Sequence, residues 1–299
     1  MGEWLGVIMA VVSSALGGTG ATVTRYLAVD ADPFTLGILR FGFGFLCVLP
    51  IAVALRARWP QRKDWLGVAS LGILFYGFAI VLYNIALGHT TAARATLALA
   101  TLPFLTMVVG ALLGVESVTA RKTVGVVIAM LGVAVGLAAG LTEAPPGAWR
   151  GELVMLGTSL CMSFYNVWSR PFIERSSAMG FLTVGMGAGA AVLVMVGLFS
   201  GSFAVMSNFG PREWTAGLYL GAAGGALAFV LWVLALQRTS PTRVAITMTA
   251  NPMAAALLAT VLLDEPITIS FLIGLVAVLA GIWMASSRSK VERTTGNRS

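Results

Sequence analysis

Charge is what this sequence lacks. Only 10% of its 299 residues are Asp, Glu, Lys or Arg, against about 25% in soluble globular domains. So few charges cannot clothe a water-soluble globule. With 58% hydrophobic residues and a mean hydropathy of +0.90, the composition points to a bilayer. Histidine occurs once, at His89, and cysteine twice, at Cys47 and Cys161, both inside apolar runs. No disulfide framework or metal-ligand spacing follows from these, so no metal and no cofactor are expected. The 12 acids lie at the ends of apolar segments or between them, none near a helix centre. Proton relays and sites for cationic drugs usually need a buried acid. A proton path here would have to use Glu3, Glu152 or His89. No nucleophile–base pair is present, so no catalytic residue is expected. Gly185, Gly187 and Gly189 head no strand–loop–helix unit and read as packing positions, not a phosphate cradle. A pI near 10.0 would suit nucleic acid only with a basic stripe on a folded surface. Lys and Arg instead occupy short gaps between apolar runs, and no nucleic-acid partner is expected. Glu3, with no Lys or Arg beside it, precedes the first run and argues against a cleaved signal peptide.

The rest of the sequence is filled with apolar runs of about 20 residues, the length that crosses a hydrocarbon core. Ten are read, near 4–24, 34–55, 65–87, 92–114, 122–141, 152–169, 179–199, 214–236, 243–263 and 267–286. They repeat at an offset of 149 residues: Trp65 matches Trp214, Leu71-Gly72 matches Leu220-Gly221, Thr90 matches Thr239, and Arg94 matches Arg243. At the same offset Pro103 matches Pro252, Glu116 matches Glu265, Gly125 matches Gly274 and Gly132 matches Gly281. Such self-similarity marks an internal repeat. It predicts one five-helix repeat over 1–149, a second over 150–286, and a basic tail over 287–299 at the inner membrane surface.

Five spans per repeat is an odd number, so the second repeat enters the membrane upside down. Fourteen Lys and Arg fall in the gaps after the second, fourth, sixth and eighth spans and in the tail, against four (Arg25, Arg94, Arg150 and Arg212) on the other side. The positive-inside rule then places both termini in the cytoplasm, at a bacterial inner (plasma) membrane. Arg94 and Arg243, equivalent by repeat, fall on opposite sides. The predicted fold is an all-α integral membrane protein, ten transmembrane helices in two inverted five-helix repeats. Secondary transporters place their site between such repeats.

Two stretches, Glu116…Thr119…Gly125…Gly132 and Glu265-Pro266…Thr268…Gly274…Gly281, resemble a family pattern. It is the Glu, often Pro, then Thr that precede the last helix of each repeat in the EamA-type branch of the drug/metabolite transporter superfamily. Ser117 stands where the first copy usually has proline. Arg40-Phe41 in the second span is also similar to a common feature of that family. In overall character the chain is most similar to YddG-type amino-acid exporters, and the resemblance implies outward movement of aromatic and other neutral amino acids.

Candidate site residues recur at helical spacing on repeat-equivalent spans. Ser14 shares a small face of the first span with Ala10, Gly17 and Ala21; its counterparts on the sixth include Ser163 and Asn166. Tyr76 and Tyr83 share a face of the third, with Asn84 beside it; the eighth carries Phe229 and Trp232. Polar groups are disfavoured against lipid, so these faces turn inward, either to line a pathway or to act as packing and hydrogen-bond glue between helices. Pro103 and Pro252 free backbone carbonyls at matching depths, near Thr101 and Asn251. Those carbonyls could receive a substrate ammonium, or the prolines could serve only as kinks that shape the cavity or hinge its gates. Arg40 lies roughly 10 Å into the second span at 1.5 Å per residue. It either snorkels or bonds a carbonyl, or it meets a substrate carboxylate or works a gate. The substrate-binding candidates are thus Ser14, Tyr76, Tyr83, Asn84, Ser163, Asn166, Phe229, Trp232 and Asn251; the gating or kink candidates are Arg40, Pro103 and Pro252. Glu116 and Glu265 are expected to favour the positive ends of the helices that come after them. Gly132, Gly136 and Gly140 form a ridge for a neighbouring helix or protomer.

These readings predict an inner-membrane exporter of neutral, aromatic or apolar amino acids and related small metabolites. It would work by rocking of the two repeats, with facilitated movement and no evident buried proton carrier. The partners expected are a small-molecule substrate and the lipid bilayer, with the chain a monomer or weak homodimer. The alternatives are a nucleotide-sugar or phosphometabolite antiporter, which wants an Arg or Lys clamp, proton-coupled drug efflux, and a membrane sensor or enzyme. The loops are too short for the last.

Overall fold

Inside hydrocarbon, backbone polar groups must bond within their own segment. A computed structural model describes residues 2–28, 30–90, 95, 98–136, 146–254 and 269–286, and among them there is helix but no strand. In chain order the helices are α1 (Gly2–Leu27), α2 (Pro33–Ala54), α3 (Arg62–His89), α4 (Leu102–Leu112), α5 (Ala120–Gly136) and α6 (Ala148–Arg175). After these come α7 (Ala178–Ser200), the short α8 (Ser202–Ser207), α9 (Pro211–Arg238), α10 (Pro241–Ile246) and α11 (Ile269–Ser286). Five are long and apolar enough to cross a membrane: α1 over Gly2–Thr24, α2, α3, α7 and α9. The chain is an all-helical membrane protein.

Local chemistry sets several boundaries. Asp32 caps α2 by accepting from Phe34 N at 2.8 Å and Thr35 N at 3.1 Å, and Pro33 starts the helix where no donor is needed. Ser177 caps α7; Pro211 and the Glu213 carboxylate, which accepts from Gly210 N at 2.8 Å, start α9. α6 is longer than the apolar run 152–169, because its polar ends, including Arg170 and Glu174 as an i,i+4 pair, stay helical beyond it. Ahead of each repeated proline the helix is broken. Ala100 and Thr101 form a turn before Pro103, and Thr247–Thr249 are 3₁₀ before Pro252. Proline cannot donate to the carbonyl four residues back, so both breaks fall where these two residues dictate. The rest of the ninth predicted span from residue 255, Arg94, Gly140, Glu265, the Pro266…Thr268 motif and the tail 287–299 lie outside the described residues.

Three stretches widen to π-helix: Ile38–Gly42 in α2, Ile73–Ala79 in α3 and Leu220–Leu227 in α9. The last two overlap under the 149-residue offset. Such segments are uncommon and concentrate at functional sites.

Helix pairing is reciprocal under the same offset. α1 packs on α9 as α6 packs on α3, α2 packs on α9 as α7 packs on α3, and α4 packs on α10. α5 packs along α11, where a Cβ on Gly125 would meet the Gly281 carbonyl at 2.8 Å and one on Gly132 the Gly274 carbonyl at 2.9 Å. Each of these glycines thus meets the repeat-equivalent of the other, as in a two-fold interface. The ridge of Gly132 therefore serves a helix of the same chain. Small residues permit that approach.

Candidate functional site

Residues from both halves of the chain enclose a central cavity of about 60 Å³. Its wall is formed by Ser13 and Gly17 of α1, Arg40 and Phe41 of α2, Phe75, Ala79, Ile80 and Tyr83 of α3, and Thr158 and Met162 of α6. Ala228, Phe229 and Trp232 of α9 complete it, with Leu99, Met248 and Asn251 from the two proline-broken segments. A cavity that holds benzene measures about 150 Å³, so the site is contracted in this state.

Five aromatic rings, Phe41, Phe75, Tyr83, Phe229 and Trp232, contribute to the wall. Phe229 lies edge-on to Phe41 and Phe75, with centroids 5.3 Å and 5.4 Å apart. Phe75 stacks on Tyr165 at 4.3 Å, and the Tyr165 and Tyr76 hydroxyls are bonded at 2.7 Å. Such ring pairs add about 0.5–1.5 kcal/mol each beyond their area.

Of the residues singled out by spacing, Tyr83, Phe229, Trp232, Asn251 and Arg40 line this cavity. Four others sit one layer behind it. Tyr76 is fully buried against Tyr165. Ser14 faces the Thr247 hydroxyl at 3.0 Å, and Ser163 donates to the Ser159 carbonyl at 2.8 Å while accepting from Thr106 at 3.3 Å. Asn166 accepts the Trp232 indole N–H at 3.0 Å. Because the indole only donates, the Asn166 amide must present its oxygen, and its Nδ2 is left without a partner. Asn84 turns elsewhere: it donates to the Pro33 carbonyl at 2.9 Å and lines a second cavity of about 370 Å³ with Thr24, Leu36 and Leu87. Pro103 and Pro252 are buried and contribute breaks, not lining groups. Tyr76 and Tyr83 fail to share a wall because Tyr76 sits within the π-stretch Ile73–Ala79 and Tyr83 beyond it. Its wider turn rotates the residues beyond it relative to a 3.6-residue period, so Phe75 and Ala79 replace Tyr76. Phe41, Phe75, Ser13, Thr158, Met162 and Met248 are not among the site residues expected from sequence. Phe41 beside Arg40 and Ser13 beside Ser14 were the available cues.

Arg40 is 8% exposed and belongs to the π-stretch of α2. Its Nε donates to the Gly224 carbonyl of α9 at 3.3 Å, so it bonds a carbonyl of the adjoining helix instead of snorkelling outward. Glycines make this possible. A Cβ at Gly225 would collide with the Arg40 carbonyl oxygen, and one at Gly221 would meet the Leu39 oxygen at 2.8 Å.

The two ends of the bundle differ. Where α1 begins, Glu3 pairs with Arg243, which donates to the Ala285 carbonyl at 3.2 Å. Asp64 there takes two bonds from Arg175, at 3.0 and 2.9 Å. Glu116 binds Lys122 at 2.8 Å and accepts from Thr242 N at 3.2 Å and Oγ1 at 2.9 Å. Glu116 thus serves the start of α10, not of the next helix in the chain; the Thr119 hydroxyl accepts from Lys122 N near the start of α5 instead. At the opposite end Asp32 accepts from the Thr35 hydroxyl and, at 3.1 Å, from Ser202. Partial burial raises the Asp32 pKa, but bonds from Thr35, Phe34 and Ser202 outweigh it and hold the carboxyl below its ordinary range.

The chain is similar in sequence and fold to known proteins. Residues 4–137 and 149–287 each match the EamA-like transporter family. The chain is 22% identical to the uncharacterized transporter YyaM of Bacillus subtilis, over 92% of each chain. It is 26% identical to a probable terminal-alkyne amino-acid exporter of Streptantibioticus cattleyicolor, over 91% of each. A protein of known crystal structure shares the fold at TM-score 0.78, covering 95% of this chain and 97% of its own, at 22% identity.

Proposed function

We propose that this chain, which belongs to the EamA-like transporter family and is a membrane transporter, not an enzyme, exports neutral amino acids with aromatic or apolar side chains and related small metabolites. The observation that carries this reading is the ring-lined central cavity. Phe41, Phe75, Tyr83, Phe229 and Trp232 form an apolar wall, while Arg40 and Asn251 supply polar groups. A name of amino-acid exporter on one relative supports the same substrate class. The reciprocal helix pairing, the paired glycines and the two family matches support two inverted five-helix repeats, over 1–149 and 150–286, and the excess of Lys and Arg on one side supports a bacterial inner membrane with both termini cytoplasmic. Residues of both repeats wall the cavity, so rocking one repeat against the other would expose it to each side in turn. No acid lines the cavity among the described residues, which favours facilitated movement down the substrate gradient.

Counterflow of radiolabelled phenylalanine in proteoliposomes tests this. Replacing both aromatic residues, Tyr83→Ala with Trp232→Ala, is expected to lower flux at least tenfold (about 1.4 kcal/mol or more), with wild-type flux insensitive to an imposed proton gradient. Unchanged flux in the double variant would overturn the reading.

A further inference from the structure

Arg40 is a buried cation with its donors unspent. The guanidinium carries five N–H groups, and among the described residues only Nε meets a hydrogen-bond acceptor, a single carbonyl at 3.3 Å, while Cζ lies 5.7 Å from the centre of the Phe41 ring. No carboxylate lies within ion-pair distance of it among the described residues, and the lining of the cavity holds neither an acid nor a second cation. The backbone around it is bare: a Cβ on Gly20 would stand 3.7 Å from Nη2 and one on Gly224 4.0 Å from Nε. An unpaired charge in a low-dielectric site is costly until an opposite charge arrives. One cation, aromatic walls and no acid together describe the complement of a monoanion with an apolar body. A planar guanidinium fork matches a carboxylate in two parallel bonds. A phosphate ester would bring a second negative charge that nothing in the lining offsets.

The same lining offers an ammonium no countercharge. Asn251, 7% exposed, is the one amide on the wall, and it can hydrogen-bond an amine but cannot neutralise it. We propose that Arg40 binds the substrate carboxylate and that this carboxylate, not the amino group, is the obligatory handle. The carrier then takes aryl-alkanoic, 2-oxo and 2-hydroxy acids as well as aromatic amino acids, and rejects the corresponding amides and amines. This rests on the amino-acid reading for the choice of walls, but its test separates from it.

In proteoliposomes, phenylacetate, phenylpyruvate, phenylalaninamide and phenethylamine compete against radiolabelled phenylalanine, and labelled phenylacetate is followed directly. The two acids are expected to inhibit within about tenfold of phenylalanine itself, and the amide and amine at least a hundredfold more weakly. Arg40→Gln should lower flux of both labelled acids at least tenfold without lowering the melting temperature, and Arg40→Lys should recover part of it. Equal competition by phenylalaninamide overturns the proposal, as does Arg40→Gln with undiminished flux. A lowered melting temperature in Arg40→Gln with flux per folded protein unchanged also overturns it, because Arg40 is then a structural tie to Gly224. Arg40-dependent flux of phenylacetate with none of phenylalanine upholds the carboxylate site and sinks the amino-acid reading alone.

Discussion

At the end of the bundle where α1 begins, Glu3, Asp64 and Glu116 each hold a cation: Arg243 on α10, Arg175 on α6 and Lys122 on α5. At the opposite end Asp32 holds hydroxyls and backbone amides, Asn84 holds a carbonyl, and a cavity of about 370 Å³ opens between α1, α2 and α3. Bonds to charged groups contribute about 1.5–3 kcal/mol against 0.5–1.5 kcal/mol for neutral ones. Asp32 also makes bonds of the charged kind, but three of its four stay at the start of its own helix and only that from Ser202 comes from another, whereas at the first end ion pairs tie separate helices together. If the two repeats rock, the structure represents the state shut at the charged end, and opening that end must break Glu3–Arg243 and Glu116–Thr242, both of which tie α10.

Three measurements would break or sharpen this contrast. The largest effect is expected in labelling. In a Cys47→Ser, Cys161→Ser background, a membrane-impermeant maleimide should modify Leu87→Cys, in the second cavity, at least tenfold faster than Ala245→Cys on α10. Equal rates would mean that the charged end is no more closed than the other. Next is Glu116→Ala. It strands the Lys122 ammonium, whose side chain is 10% exposed, and removes the acceptor of Thr242 N. Breaking such a buried pair costs about 3–5 kcal/mol, read as a lower melting temperature and faster labelling of Ala245→Cys. A change under about 1 kcal/mol would show that the pair does not hold this end. The smallest is Asp32→Ala, which removes a helix cap for about 1 kcal/mol at pH 7. Because the native Asp32 pKa lies below the ordinary 3.8, its contribution is full above that value and is lost as pH falls through the native one. Wild-type and Asp32→Ala melting temperatures should therefore converge in acid. A constant gap down to pH 2 would place the stabilisation in the side chain's packing, not its charge.

Much of the fold is legible in residue order. Apolar runs locate α1, α2, α3, α7 and α9 to within three residues at each end, and Pro103 and Pro252 mark the breaks, because a missing N–H acts on its own helix. Gly125 and Gly132 announce a close approach, though only packing shows their partners to be Gly281 and Gly274. The site is less legible. Tyr83, Phe229 and Trp232 line the cavity as helical spacing suggests, while Ser163 spends its hydroxyl, and Asn166 its amide oxygen, on neighbours. A period of 3.6 residues says which side chains share a face; it does not say what that face meets.

What the sequence determines by itself is what one segment can decide: burial in a bilayer, helical backbone, the breaks at the prolines and the family. The tertiary structure alone decides which polar groups remain free. Arg40 keeps most of its donors because the glycines of α9 let the π-stretches of α2 and α9 come together, leaving a carbonyl as its only hydrogen-bond partner among the described residues, with the Phe41 ring beside it. The Asn166 amide oxygen is occupied because Trp232, 66 residues away, reaches it, while its Nδ2 is left over. Hydrogen-bond partners are settled by distance in space, and between the two halves of this chain that distance exists only once the helices have packed.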